Sequence, residues 1–304
     1  ATDGIAVDMI IQNVGQGGTA DISFTVQEQD LAAALAVTHE IGGQLGAAKI
    51  THDPNVAKVS VVGLGMATAE GVAGTMFAAI SGAGINVHMI TTSEIKISVL
   101  VDRGEAARAV AAAHAAFGLE QADGGALAGG MPPVEKSDPL EVVRRLEGME
   151  DLAIEDCQLD ASQALVTFVD LPDTPGVAAD VFAEVGRAGL CVDMIVQSFP
   201  RGGRAELSFT VPGADREEAN RVAREIAASR NASVSDVPHV AKLSLTGVGI
   251  RSHAGVADRL FAPLAQAGIN IDLISTSEVR VNVLVMAEAG EVAVQLLRRA
   301  FDLN

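Results

Sequence analysis

The chain has 304 residues, of which 49% are hydrophobic and 20% are charged, and at roughly 150 residues per domain it should hold two units. Its 39 acidic residues outnumber 21 basic ones, which gives a formal net charge of −18. Such a charge repels phosphate backbones and anionic lipids, and the absence of Trp and Tyr removes platforms for stacking bases or sugars. We therefore expect neither a nucleic-acid partner nor a membrane partner.

Cysteine content and apolar run length predict a cytoplasmic protein. Cys157 and Cys191 are too few for a disulfide framework, and neither belongs to a CxxC motif typical of zinc sites. The longest apolar runs, such as 59–65 and 97–101, have the length of strands, far below the roughly 18 residues of a membrane helix. No cationic segment followed by an apolar one opens the chain, so no secretory signal is predicted.

An internal repeat divides the chain into two homologous halves. Asp-Met-Ile-Ile-Gln at 8–12 recurs as Asp-Met-Ile-Val-Gln at 193–197, and Ala-Gly-Ile-Asn at 83–86 recurs at 267–270. The offset is 185 at the first motif and 184 at the second. A one-residue insertion or deletion thus separates two otherwise collinear copies.

A weaker repeat lies inside each half, because residues 188–195 resemble residues 267–274. Each half therefore divides into two similar modules. Between the halves, residues 121–138 are rich in Gly, Ala and Pro, which is typical of a linker. The predicted boundaries are 1–54, 55–120, 149–237 and 238–304 for the four modules and 121–148 for the linker.

The third module shows its elements most clearly. Apolar alternation and turn residues predict a βαββαβ order, which is the ferredoxin-like arrangement of one antiparallel sheet with two helices on one face. Asp173, four residues before the first helix, is a candidate N-cap. The predicted elements are strand 164–169, a helix from 177, strands 190–197 and 205–211 joined by a turn at 201–204, helix 215–229 and strand 232–236.

The fourth module, which begins near His239, shows a strand, a helix at about 255–267, two strands and a final helix, but no fourth strand. Residues 151–159 are the expected donor of that strand. The first module lacks counterparts of about 151–185, so we expect the chain to be part of a longer protein whose first module is incomplete here.

Two familiar ligand motifs are incomplete. Gly-x-Gly at 63–65 and 247–249 is followed by Thr68 and Ser252, where a dinucleotide fingerprint needs a third glycine. The histidines show neither i, i+4 pairs nor neighbouring cysteines, so no metal site is predicted. No catalytic cluster is recognisable either, and a glycine-rich turn is the better interpretation of each Gly-x-Gly.

The loop at 173–178 allows two interpretations. It can be simply a capped helix start. Alternatively, the free N–H groups of that helix hold the carboxylate of an amino acid, while Asp173 or Asp193 holds its ammonium group. The repeated Asp and Gln of the 193–197 strand favour the second interpretation, because a buried strand gains nothing from polar side chains unless they are bonded.

Several motifs together carry a family resemblance, and most occur in both halves. They are Gly-Ile-Ala-Val-Asp-Met-Ile-Ile-Gln-Asn at 4–13, Thr-Ala-Asp-Ile-Ser-Phe-Thr-Val at 19–26, Val-Ala-Lys-Val-Ser-Val-Val-Gly at 56–63, Ala-Gly-Ile-Asn at 83–86, Ser-Glu-Ile-Lys-Ile-Ser-Val at 93–99, Pro-Asp-Thr-Pro-Gly at 172–176 and Arg-Ser-His-Ala-Gly-Val at 251–256.

These motifs resemble the regulatory ACT-domain pair of aspartokinase, and they cover nearly all of the chain outside the linker. The resemblance implies an α+β fold of four ferredoxin-like βαββαβ ACT modules in two homologous pairs with an exchanged strand. It also implies an allosteric role, in which lysine and/or threonine bind between paired modules and inhibit a kinase domain of the same polypeptide. ATP and Mg are implied only for that kinase domain, no cofactor is implied for this chain, and a homodimer through ACT modules is expected.

The resemblance also assigns effector-binding residues, which lie in the motifs of each half. In the second half they are Asp173, Gly176, Val177, Ala178, Asp193 and Gln197 from the third module, and Val256, Ala257, Asn270, Ile271, Ser277 and Glu278 from the fourth. In the first half they are Asp8, Gln12, Val72, Ala73, Asn86, Val87, Ser93 and Glu94.

Two departures from the family pattern bear on the choice of effector. Cys191 stands where the family usually has Asn, and Ala-Glu-Gly at 69–71 replaces His-Pro-Gly. An alternative function also stays open, namely a free-standing ACT-repeat sensor that acts on a partner in trans.

Overall fold

The computed structural model describes residues 5–14, 20–63, 71–93, 95–119, 152–250, 255–277 and 279–303, which form an α+β fold. The strands are β1 (Val7–Val14), β2 (Ala20–Val26), β3 (Val56–Val62), β4 (Met89–Ser93), β5 (Lys96–Asp102), β6 (Ala153–Pro172), β7 (Ile195–Gln197), β8 (Arg204–Pro212), β9 (Ser233–Val248), β10 (Leu273–Thr276) and β11 (Arg280–Met286). The helices are α1 (Leu31–Leu45), α2 (Val72–Gly82), α3 (Ala106–Ala116), α4 (Val177–Arg187), α5 (Arg216–Ser229), α6 (Val256–Gln266) and α7 (Gly290–Ala300).

All the described strands form one sheet, in the order β2-β1-β10-β11-β9-β6-β8-β7-β4-β5-β3. Every neighbouring pair is antiparallel. The elements from β6 to β9 follow the predicted βαββαβ order, with the first and third strands, β6 and β8, at the centre of the unit. The ferredoxin-like fold class is thus confirmed.

Two long strands, β6 and β9, run from one unit of the sheet into the next. The end of β6 pairs with the start of β9, as in Val169↔Ser233, whereas the start of β6 pairs with the end of β9, as in Leu159↔Leu243. The predicted strands 151–159 and 164–169 are therefore parts of one strand. Residues 153–160 occupy the sheet position beside β9 that the fourth module otherwise lacks.

The second strand of the third module is shorter than predicted, because only Ile195–Gln197 has regular strand geometry within residues 190–197. The preceding residues still bond to β8, through Asp193 N to Thr210 O at 3.1 Å and Thr210 N to Met194 O at 3.0 Å. The predicted turn at 201–204 is present. Gly202 and Gly203 both have positive φ, as a two-residue hairpin loop requires.

The sheet folds back on itself, so that two parts of it face each other. Thr91 of β4 and Ser275 of β10 are not on neighbouring strands, yet their hydroxyl oxygens are 2.6 Å apart. A buried apolar layer surrounds this contact and separates the two parts of the sheet. Its side chains include Met9, Ile11, Leu273 and Leu284 from one part and Met89, Leu100, Met194 and Val196 from the other.

The helices pack on the opposite side of the strands, as residue alternation requires. On β5, Val99 and Val101 join the helix-side core, whereas Leu100 points into the layer between the sheets. That core unites both halves of the chain. The ring of Phe77 on α2 lies 5.4 Å from the ring of Phe182 on α4, measured between centroids.

Candidate functional site

A cleft lies where the loop before α4 meets the segment before β4, so each half of the chain supplies one wall. Its volume is about 20 Å³, which is room for about one water molecule. The lining combines apolar and hydrogen-bonding side chains. It includes Phe77, Ser81, Ile85, Asn86, Val87, Leu171, Asp173, Thr174, Gly176, Val177, Ala178 and Gln197.

The helix at the cleft begins without a side-chain cap. Its N-cap residue is Gly176, with φ of 98°, so the prediction that Asp173 caps the helix is wrong. The backbone N–H of Asp173 donates to Gly203 O at 2.9 Å, which holds the residue at the end of β6. Its carboxylate instead accepts a hydrogen bond from Asn86 Nδ2 at 3.0 Å. An uncapped helix start is a suitable place for a ligand carboxylate.

Gly176 also brings the loop close to α2. A Cβ atom at this position would lie 3.0 Å from Ser81 Oγ. The positive φ and the close approach both favour glycine here. Val177 and Ala178 follow as half-buried residues of the first helical turn.

The repeated glutamines join the two halves. Gln197 is only 5% exposed, and its Nε2 donates to the backbone oxygen of Val87 at 3.0 Å. Its counterpart Gln12 donates in the same way to the backbone oxygen of Ile271. Each glutamine thus ties its own strand to a backbone carbonyl in the other half of the chain.

The repeated aspartates are each paired with a lysine. The carboxylate of Asp193 forms an ion pair with Lys242, and that of Asp8 forms one with Lys58. All four side chains are less than a quarter exposed. Asp193 is absent from the cleft lining, so Asp173 is the carboxylate that faces the cleft.

The residues expected to form one site within each half are distributed between the halves. Asp173 and Gln197 of the second half meet Asn86 and Val87 of the first. Val256 and Asn270 of the fourth module are not part of this cleft. The expected grouping by halves is therefore corrected, because each interface joins a module of one half to a module of the other.

Some of the expected site residues are buried among the helix-side cores. Val72 and Val256 are buried in the helix-side cores, at 4% and 2% exposure, and Ala73 packs against the same core as Val72. Ala257 is half-buried on α6. Val72 and Val256 are each the first residue of a helix, and they are buried because that helix packs against the sheet.

Of the remaining expected residues, those that the structure describes lie near the β1·β10 interface or at the ends of β4 and β10. Asn270 Nδ2 donates to Asp272 Oδ1 at 2.9 Å, beside the Ile271 carbonyl that binds Gln12. The Ser277 hydroxyl donates to the backbone oxygen of Arg280 at 3.5 Å. Ser93 Oγ is buried without a hydrogen-bond partner among the described residues. Glu94 and Glu278 lie outside the described residues.

Sequence reasoning missed part of the cleft. Phe77 and Ser81 on α2 were not among the expected residues, although Phe77 recurs as Phe261 at the repeat offset of 184. Ile85 and the partner lysines could have been found. Ile85 lies inside the repeated Ala-Gly-Ile-Asn motif, and Lys58 and Lys242 are equivalent residues of the repeated Val-Ala-Lys motif.

Burial raises the pKa of the Cys157 thiol to about 11, so this cysteine is uncharged at neutral pH and unsuited to act as a nucleophile. Across the described ranges, no group of three or more His, Cys, Asp or Glu side chains is placed to hold a metal ion. No described helix is long and apolar enough to cross a membrane.

Sequence comparison identifies relatives for both halves. A family model described as the ACT domain matches residues 59–117 and 243–301. The aspartate kinase of Stutzerimonas stutzeri is 41% identical over 160 residues, which are 52% of this chain and 39% of that protein. The aspartokinase of Pseudomonas aeruginosa is 39% identical over 160 residues, with the same shares. The chain spans 39% of the length of these relatives.

Two solved structures are also similar to this chain. Aspartate kinase from Synechocystis is 32% identical with a TM-score of 0.85, over 99% of this chain and 50% of that one. The regulatory subunit of aspartate kinase from Thermus flavus is 35% identical over 49% of this chain and 99% of that subunit, with a TM-score of 0.47. The chain therefore belongs to the aspartokinase family and corresponds to its regulatory ACT-domain region.

Proposed function

We propose that the chain senses amino acids for an aspartate kinase and lowers the activity of the kinase domain when lysine or threonine binds. The cleft between residues 173–178 and residues 86–87 carries the proposal, because it combines an uncapped helix start with a carboxylate. An α-amino acid carries the complementary pair of charges. Family membership agrees with such a regulatory role.

The cleft offers a partner for each part of an amino acid. The N–H groups at the start of α4, other than that of Val177, which donates to Thr174 O, would bind the α-carboxylate. Asp173 would accept hydrogen bonds from the ammonium group. Phe77, Ile85 and Leu171 supply an apolar wall for the side chain.

Binding must change the relation between the two halves. A cleft of about 20 Å³ is too small for an amino acid, and the Asn86–Asp173 bond spans it. An effector would have to separate α2 from the 173–178 loop. An effector that binds the opened arrangement more tightly raises the fraction of chains in that arrangement. The coupling free energy between such an effector and a second site is typically about 1–3 kcal/mol.

Isothermal titration calorimetry with lysine and with threonine tests the proposal. At least one should bind, and it should also raise the melting temperature of the chain. Gln197→Ala should weaken binding, whereas Gln158→Ala, at an exposed residue outside the cleft, should not. Neither heat nor thermal stabilisation with both amino acids would contradict the proposal, and unchanged affinity in Gln197→Ala would move the site elsewhere.

One observation favours a second candidate function, regulation in trans. The Thermus flavus relative is described as a regulatory subunit, and half of this chain matches 99% of it. A regulator in trans should inhibit a separately expressed aspartate kinase catalytic domain when mixed with it in the presence of lysine or threonine. Inhibition only when both parts are joined in one polypeptide would favour the first candidate. Light scattering of the same samples tests the expected homodimer.

A further inference from the structure

Two interfaces join the halves of the chain: the Gln197 interface, where β7 pairs with β4, and the Gln12 interface, where β1 pairs with β10. One buried hydroxyl pair lies between them. We propose that Thr91 and Ser275 are positioning residues that couple the Gln197 interface to the Gln12 interface. A displacement at one interface is then transmitted to the other without any further subunit. The inference rests on the proposed function only for the identity of the ligand, because the coupling is a property of the chain itself.

The pair joins equivalent residues of the two halves. Thr91 and Ser275 are separated by 184 residues, which is the offset of the repeat in this region. They are 4% and 1% exposed, and their oxygens are 2.6 Å apart. The hydroxyl pair therefore lies where the two facing parts of the sheet meet, on an approximate two-fold axis of the repeat.

The hydrogen bonding of the pair is directional. The Ser275 hydroxyl donates to the backbone oxygen of Thr92 at 3.2 Å, so Thr91 is the donor to Ser275. Ser275 of β10 is thus bonded to β4 twice, once to the side chain of Thr91 and once to the backbone oxygen of Thr92. Because Met89 and Leu273 belong to the surrounding apolar layer, breaking these bonds without replacement is costly, and the two strands move together.

Each member of the pair is connected to a glutamine interface by a short piece of chain. Val87, whose carbonyl accepts from Gln197, precedes Thr91 by four residues. Ile271, whose carbonyl accepts from Gln12, precedes Ser275 by the same four residues.

A second bond fixes each interface close to the pair. Thr92 Oγ1 accepts from Ile195 N at 2.8 Å, two residues before Gln197. Thr276 Oγ1 accepts from Ile10 N at 2.8 Å, two residues before Gln12. Each glutamine strand is therefore bonded at two points to the strand that carries a member of the pair. A displacement of β1 or β7 should therefore displace the Thr91–Ser275 pair.

Hydrogen exchange followed by mass spectrometry tests this coupling without any ligand. Gln197→Ala removes the bond to Val87 and should speed exchange in residues 89–93 directly. If the coupling is real, exchange in residues 269–277 should also rise, by about 2- to 10-fold, which is the effect of losing one buried hydrogen bond. Thr91→Val in the same background should abolish that distant rise and keep the local one, whereas Thr91→Ser, which retains the hydroxyl, should preserve both.

Two outcomes would overturn the inference: no rise in residues 269–277 when Gln197 is replaced, or a rise that persists in Thr91→Val. If Gln197→Ala does not fold, the reciprocal experiment replaces Gln12 and reads residues 89–93, since coupling between sites is reciprocal. Titration of the unmodified chain with lysine and threonine separates the two claims. Coupling without binding would contradict the proposed effectors alone, and binding without coupling would contradict this inference alone.

Discussion

Asn86 donates a hydrogen bond to Asp173 at 3.0 Å, and this bond joins the two halves of the chain directly across the cleft. The residues are 87 positions apart in sequence, and Asn86 belongs to the repeated Ala-Gly-Ile-Asn motif. Asp173 does not cap α4, because the N-cap position of that helix is occupied by Gly176, three residues later.

Gly176→Ala should lower the free energy of unfolding by about 1–2 kcal/mol, because alanine is strained at a φ of 98° and its Cβ would crowd Ser81. Urea denaturation measures the change. Gly186→Ala is a matched control in the same helix, since nothing lies within 4 Å of a Cβ there, and it should be neutral or stabilising. Equal losses in both variants would contradict the assignment of strain to Gly176.

Lys242→Met should destabilise the chain by about 1–3 kcal/mol, because it leaves the partly buried Asp193 carboxylate without its ion-pair partner. Adding Asp193→Asn should recover part of that loss, as expected of groups in contact. Arg187→Met removes an exposed pair with Glu184 and should change stability by less than about 0.5 kcal/mol. Additive effects of the Lys242 and Asp193 changes in denaturation experiments would contradict the pairing.

Glu206 should make stability depend on pH. Burial raises its pKa, the nearby Asp21 and Asp170 carboxylates raise it further, and Arg201 opposes them. Because the folded chain then holds this proton more tightly than the unfolded chain, stability declines as the pH rises above the ordinary value of 4.5 and through the raised pKa.

Glu206→Gln should remove this dependence. The variant should be more stable than the unmodified chain at pH 7, and the difference should shrink towards pH 4. Thermal unfolding across this pH range measures the difference. A constant difference at all pH values would show that the carboxyl group does not titrate with folding.

The two cysteines should differ in reactivity towards a thiol reagent. Cys191 is exposed, whereas Cys157 is buried and has a raised pKa, so only Cys191 should react in the folded chain. Absorbance after addition of a disulfide reagent counts the thiols, and Cys191→Ser should remove the fast phase. A fast phase that survives this substitution would show that Cys157 becomes exposed in the native state.

Local elements could be predicted from the sequence because their signals are local. The helix predicted at 215–229 begins at Arg216, and the one predicted at about 255–267 spans Val256–Gln266. Regular spacing of apolar residues and turn residues at the ends were sufficient. The predicted capping role of Asp173 is wrong, because Gly176 is the N-cap and the Asp173 carboxylate binds Asn86 of the other half.

The grouping of site residues could not be predicted from the repeat. Two copies of a motif show which residues are equivalent, such as Gln12 and Gln197, but each copy offers the same partners. Only the three-dimensional arrangement shows that Gln197 contacts Val87 and Gln12 contacts Ile271. Phe77 likewise lines the cleft because α2 packs against α4 of the other half. No local sequence pattern indicates that contact.

The continuity of β6 and β9 limits how such a chain can be divided or recombined. A cut between residues 237 and 238, at the predicted module boundary, would pass through β9 and separate residues 240–248 from residues 153–163 of β6, with which they pair. Single modules are therefore unsuitable units for gene fusion or for grafting effector specificity between relatives. The smallest exchangeable piece is a pair of modules, and duplication of a whole pair is the route by which a region of this kind can lengthen while it continues to fold.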